Sequence, residues 1–183
     1  MRAGEAQRFI EELEQEFPKF RVLYKRESRL CHWIHRALWA ITFGGQRHFL
    51  QGYYTVIGDT LYVPDSWDAL APADRVVLLR HERVHLRQRR RYGTLGMTFL
   101  YLVPWFPLGL AYGRARIEWE AYTETLRATG ELLGREAMHD PGLRARIVQR
   151  FVGPDYGWMW PFQKSVERWY DAALTAIDRE LGG

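Results

Sequence analysis

Residues 72–91 read PADRVVLLRHERVHLRQRRR. Val76, Val77, Leu78 and Leu79 supply apolar, helix-compatible residues. Pro72 is tolerated in a first helical turn, and Asp74 places a negative charge where the helix dipole favours it. Arg87, Arg89, Arg90 and Arg91 put cations at the opposite end, which the dipole also favours. The pattern predicts a helix over 70–92. Within it His81, Glu82, Arg83, Val84 and His85 form an H-E-x-x-H pentapeptide. Helical residues four apart share a face, so both imidazoles can address one ion. Glu82, turned about 100° around the axis, can reach a water on that ion without binding it. Two neutral imidazoles and a carboxylate base are the equipment of zinc-assisted hydrolysis. The plainer account is a surface helix whose histidines happen to fall one turn apart, and a third ligand decides between the two.

Such a ligand is a His, Asp or Glu on another element. Residues 114–127, RARIEWEAYTETLR, form a good helix candidate carrying Glu118, Glu120 and Glu124. With these residues the chain resembles the gluzincin metallopeptidases, which pair H-E-x-x-H on one helix with a zinc-binding Glu on a later one. In the CAAX-prenyl-endopeptidase-like branch and in the minigluzincins the later motif looks like E-x-x-A-D. Glu118 and Ala121 match it, and Tyr122 stands where those families carry an Asp that orients a zinc histidine. A second frame, Glu120 with Glu124, resembles the thermolysin-like E-x-x-x-D pattern. The two frames lie about 200° apart on a helix, so only one can face the metal. Glu118 is the expected ligand and Glu120 the alternative. The resemblance spans about 50 residues, from the first motif helix to the second.

The resemblance implies an α+β, mainly α-helical, zincin-like domain with a small β-hairpin or sheet beside the H-E-x-x-H helix. It implies one Zn²⁺ per chain on His81, His85 and Glu118, with Glu82 as general base and a peptide or protein as substrate. An oxyanion-stabilising tyrosine is sought at Tyr122 or Tyr112. A latent or non-catalytic zinc protein is the first competing class. A peripheral membrane protein is the second.

At 183 residues the expectation is a single domain with a real core. Its parts are N-terminal helices over 1–45, a hairpin over 46–64 and the motif helix over 70–92. An apolar hairpin over 93–113, a third-ligand helix over 114–134, and an aromatic segment with a helix over 135–183 complete it. Phe9, Ile10, Leu13 and Phe17 give the first helix an apolar stripe. CHWIHRALWAITF, residues 31–43, predicts the second, and Gly44-Gly45 punctuates it. Phe49, Tyr53, Tyr54, Val56 and Ile57 precede Gly58-Asp59 and then Thr60 to Val63, the pattern of a β-hairpin.

Tyr92 to Tyr112 contains no charged residue and is long enough for a transmembrane segment. One crossing would put His81 and His85 on the opposite side from Glu118. Pro104, Pro107, Gly96 and Gly109 would also interrupt a straight helix. The segment is therefore expected to fold as two short buried helices, with a shallow membrane-dipping hairpin as the alternative. The arginine run fits either a solvated helix end or an anionic membrane surface, and no nucleic-acid-binding motif accompanies it. The formal charge is only +4.

The lone Cys31 excludes an internal disulfide. Its part as a metal-blocking thiol competes with the commoner one of a small buried hydrophobe. The first 17 residues lack the apolar core of a signal peptide. A cytoplasmic location, with membrane association through 92–112 left open, is the expectation. Tyr156 to Phe162 is an aromatic knot expected to pack on the core, ahead of a helix from about Gln163 to Leu181. His32, His35 and His48 are expected to be structural or solvent-facing, and His139 is read as a loop residue without a role.

Overall fold

The structure, a computed structural model, describes residues 4–41, 54–102, 111–153 and 159–182. The chain is mainly helical with a small three-stranded sheet, as the α+β reading expected. It divides into two compact units, Met1–Arg75 and Val76–Gly183.

In the first unit, α1 (Glu5–Glu16) buries Ala6 and Leu13, and Phe17 and Phe20 are buried just after it. β1 (Arg21–Tyr24) follows directly. A 3₁₀ turn, Lys25–Glu27, leads into α2 (Arg29–Ile41). Ser28 precedes that helix, and its hydroxyl accepts a hydrogen bond from the Cys31 N–H at 3.2 Å, satisfying a donor that a helix start leaves open. Cys31 is buried against Tyr62, Ile34 and Ile57, in the small-hydrophobe role. Burial lowers the Lys25 ammonium to about 8, and the neighbouring Cys31 thiol opposes the shift.

β2 (Thr55–Ile57) and β3 (Thr60–Val63) form the expected hairpin, turning at Gly58-Asp59. Gly58 takes φ 63°, which a two-residue hairpin turn asks of its glycine. The arms expected at 46–53 lie outside the described residues. β1, which the sequence reading did not anticipate, pairs parallel with β3 (Val22 with Leu61, Leu23 with Tyr62), giving the order β1-β3-β2. β3 is thus central, and all four of its residues are buried.

α3 (Pro72–Leu102) opens at the expected proline and bends at Gly93, where φ 70° and ψ 168° leave helical space. The bend falls next to the expected 92/93 boundary, and Gly96 continues a helix rather than breaking one. The expectation of buried helices beyond it is corrected. Leu95 is 87% exposed and Phe99 64%. Pro104, Pro107 and Gly109 lie outside the described residues. Among the described residues no helix is long and apolar enough to cross a membrane.

In the second unit α4 (Tyr112–Leu133) is followed by α5 (Arg135–Met138), α6 (Pro141–Val152) and α7 (Gln163–Gly182). Trp119, Leu126, Met138, Ile147, Phe151, Val166, Tyr170 and Ile177 build one buried cluster from all four helices. Met159, from the expected aromatic knot, joins it, and Trp160 packs against it. α6 was not foreseen. His139 ends α5 and pairs with Asp178 at 3.0 Å. The next residue, Asp140, caps α6: its carboxylate accepts from the N–H groups of Gly142 (3.1 Å) and Leu143 (2.9 Å), and Pro141 occupies the first turn. Losing such a cap costs about 1 kcal/mol, with a spread of roughly 0.5–2. Asp140→Ala is expected to lower the urea midpoint accordingly, and Asp140→Ser to restore most of it. An unchanged midpoint in the alanine variant would show that the cap contributes nothing.

A candidate metal centre between two antiparallel helices

α3 and α4 run antiparallel, as their side-chain pairs show. Arg80 meets Glu124, His81 meets Thr125, His85 approaches Glu118, and Gln88 reaches Ile117 and Glu120. His81, His85 and Glu118 come together between them, each offering one ligand atom within 4.8 Å of the others. The two Nε2 atoms stand 3.2 Å apart. Glu118 Oε2 lies 3.9 Å from His81 Nε2 and 3.7 Å from His85 Nε2. Glu118 is 3% exposed.

The protonation of both imidazoles follows from their other partners. The Gln88 amide nitrogen donates to the Ile117 carbonyl (3.0 Å) and to Glu120 Oε2 (2.8 Å). Two acceptors on one side fix the amide orientation, so Gln88 Oε1 faces His85 Nδ1 at 3.0 Å and must accept its proton. The Thr125 hydroxyl donates to the Ala121 carbonyl at 3.2 Å and so accepts from His81 Nδ1 at 2.9 Å. Both histidines therefore carry hydrogen on Nδ1, and their Nε2 atoms face each other. Burial, followed by the neighbouring His85, holds the His81 imidazole well below its usual range, so neutrality costs it nothing.

With both Nε2 atoms free of hydrogen, two lone pairs at 3.2 Å beside a buried carboxylate repel unless a cation lies among them. Nitrogen ligands at about 2.0–2.1 Å from a tetrahedral ion would stand about 3.3 Å apart, close to the observed spacing. The residues present fit a divalent metal.

Glu82 is also buried, at 7% exposure. Its carboxyl is pushed up to about 7 by burial, with His85 opposing and Glu118 adding to the shift. That places it where a proton-transfer group at neutral pH needs to be. Tyr122 lies edge-on to His81 (ring centres 4.9 Å) and against Phe151 (5.6 Å), tying the histidine to the core. Tyr112 instead packs on Trp160.

The structure groups Glu118, and not Glu120, with the histidines. Glu120 instead anchors Gln88, and Glu124 pairs with Arg80 at 2.6 Å. Gln88 and Thr125 were missed in the sequence. Each had a helical-spacing signal: Gln88 lies three residues after His85, and Thr125 lies two turns after Glu118 on the same face. His32 uses Nε2 on the Arg26 carbonyl at 3.0 Å, and His48 lies outside the described residues. Comparison of the chain with protein-family models, with curated proteins and with solved structures returns no match.

Groups that orient metal-bound histidines commonly set affinity by 10–100-fold. Thr125→Val and Gln88→Leu are each expected to weaken zinc binding within that range, in titrations against a chromophoric chelator, while leaving the helical circular dichroism intact. Wild-type affinity in both variants would sink the assignment of the two proton acceptors.

Proposed function

We propose that this chain is a zinc metallopeptidase of gluzincin type. The observation that carries the reading is the pair of facing Nε2 atoms at 3.2 Å, with Glu118 beside them and the buried Glu82 next in sequence to the first histidine. Zinc is favoured over other divalent ions by a donor set of two imidazoles and one carboxylate, which leaves a fourth position open. When bound, the ion supplies Lewis acidity toward a water and toward a scissile carbonyl.

The chain's own residues then have separate tasks. His81 and His85 keep their Nδ1 hydrogens on Thr125 and Gln88, so that neither ring rotates during turnover. Glu82 accepts the proton of the attacking water on its carboxylate and delivers it to the departing amine. Its raised proton affinity suits both halves of that exchange. Tyr122 braces His81 from the side facing the core.

A latent zinc protein is the second reading, favoured by one observation: the histidine side chains are only 16% and 12% exposed, and Glu118 only 3%. Such a protein would hold the metal and cleave nothing as an intact chain.

Elemental analysis and peptide-library cleavage separate these outcomes. The wild type should hold about one zinc per chain, Glu118→Ala should lose it, and Glu82→Gln should keep it while turnover falls by roughly 10²–10⁴. Peptidase activity undiminished in Glu82→Gln would refute the mechanism. Zinc without cleavage in the wild type would favour the latent reading. No zinc in the wild type, even after reconstitution, would remove both.

A further inference from the structure

We propose that the helical segment following Gly93 is a docking surface for an anionic lipid bilayer, through Leu95 and Phe99. These two are among the most exposed large apolar side chains in the chain, at 87% and 64%. They lie four residues apart on a helix and so share a face. Tyr92, immediately before the bend, is 39% exposed. The segment is not adrift. A Cβ placed on Gly113 of α4 would sit 2.9 Å from Leu100 Cδ2, so Leu100 holds this piece of α3 closely against α4 on a different side from Leu95 and Phe99.

Charge selects the occupant. From Arg83 to Ile117 the sequence has no acidic residue, and it carries arginines at 83, 87, 89, 90, 91, 114 and 116. Arg90 and Arg91 are exposed directly before the apolar pair, and the Arg91 guanidinium lies 5.3 Å over the Tyr92 ring. Apolar side chains projecting from a convex helix, bordered by an aromatic ring and cations, match a headgroup interface. The apolar groups enter the acyl boundary, the ring sits at headgroup level and the arginines meet acidic phosphates. Among the described residues no helix is long and apolar enough to cross a membrane. In the proposed mode this face lies on the bilayer surface. This inference does not depend on metal binding.

The test is co-sedimentation of the full chain with sucrose-loaded vesicles. One set contains phosphatidylcholine alone, and the other adds about a third phosphatidylserine. Binding is expected on the acidic vesicles, at least tenfold weaker on the neutral ones, and falling as salt rises. Leu95→Ser with Phe99→Ser should reduce it at least tenfold, and Arg90→Gln with Arg91→Gln should remove the preference for acidic lipid. Leu133→Ser, which alters another exposed leucine, should change nothing. Circular dichroism melts of each variant separate lost binding from lost folding. Absence of wild-type binding would overturn the proposal. So would equal binding to both vesicle types, or retained binding in a folded Leu95→Ser, Phe99→Ser variant. Concentration-dependent dimerisation abolished by that double substitution, without vesicle binding, would assign the face to a second copy of the chain instead.

Discussion

Arg80 reaches from α3 to two carboxylates of α4, Glu124 at 2.6 Å and Glu131 beyond it. Eight residues later Gln88 reaches the same helix at Ile117 and Glu120. Partly buried polar groups of this kind each cost about 1–3 kcal/mol when left unpaired. A slip of one residue between the helices would rotate every partner by about 100° and unpair them together. The register of α3 on α4 is thus held by polar pairing at both ends of the site, and the histidines in between inherit their aim from it. His81 and His85 are directed at Glu118 because Arg80 and Gln88 have already chosen which turns of α4 they face.

Tyr122 shows how this chain departs from the pattern it resembles. An Asp at that position would accept the His81 Nδ1 proton as an anion. Here Thr125, three residues on, accepts it as a neutral hydroxyl, while the Tyr122 ring packs between His81 and Phe151. A neutral acceptor raises the basicity of the imidazole less than a carboxylate does. Orientation is shared differently: a hydrogen bond sets the tautomer, and an aromatic contact with the core restrains the ring. The histidine is coupled through Phe151 to the cluster that holds α4, α5, α6 and α7 together.

Much of the site was legible because helical spacing is a local rule. Four residues separate His81 from His85, and the choice of Glu118 over Glu120 reduces to which face α4 presents. The hairpin was legible for the same reason, since Gly58-Asp59 encodes its turn locally. β1 was not, because RVLY has no alternating pattern of its own and becomes a strand by lying beside β3. α6 could have been read. Asp140-Pro141 is a helix-start signature, a capping carboxylate followed by a proline suited to the first turn. Gln88 and Thr125 were hidden for another reason, since a polar residue on a helix shows its task only once the facing helix is known.

The apolar stretch after residue 92 was expected to form buried helices because metal ligands flank it and its prolines interrupt a span, yet Leu95 and Phe99 are exposed. Tyr92, Leu95 and Phe99 continue the spacing of His81, His85 and Gln88, steps of three and four residues that follow one face of a helix. In an unbroken α3 they would extend the face that meets α4. Gly93 prevents this. At φ 70° and ψ 168° it adopts a conformation that residues with a side chain rarely take, and it ends that continuity one residue after Tyr92. Nothing lies within 4 Å of where its Cβ would be, so the glycine is there for its backbone and not for want of space. Beyond the bend Leu100 carries the contact with α4, and Leu95 and Phe99 are left in solvent. Hydrophobic pattern gives the face of a helix, but a single backbone torsion decides where that face points.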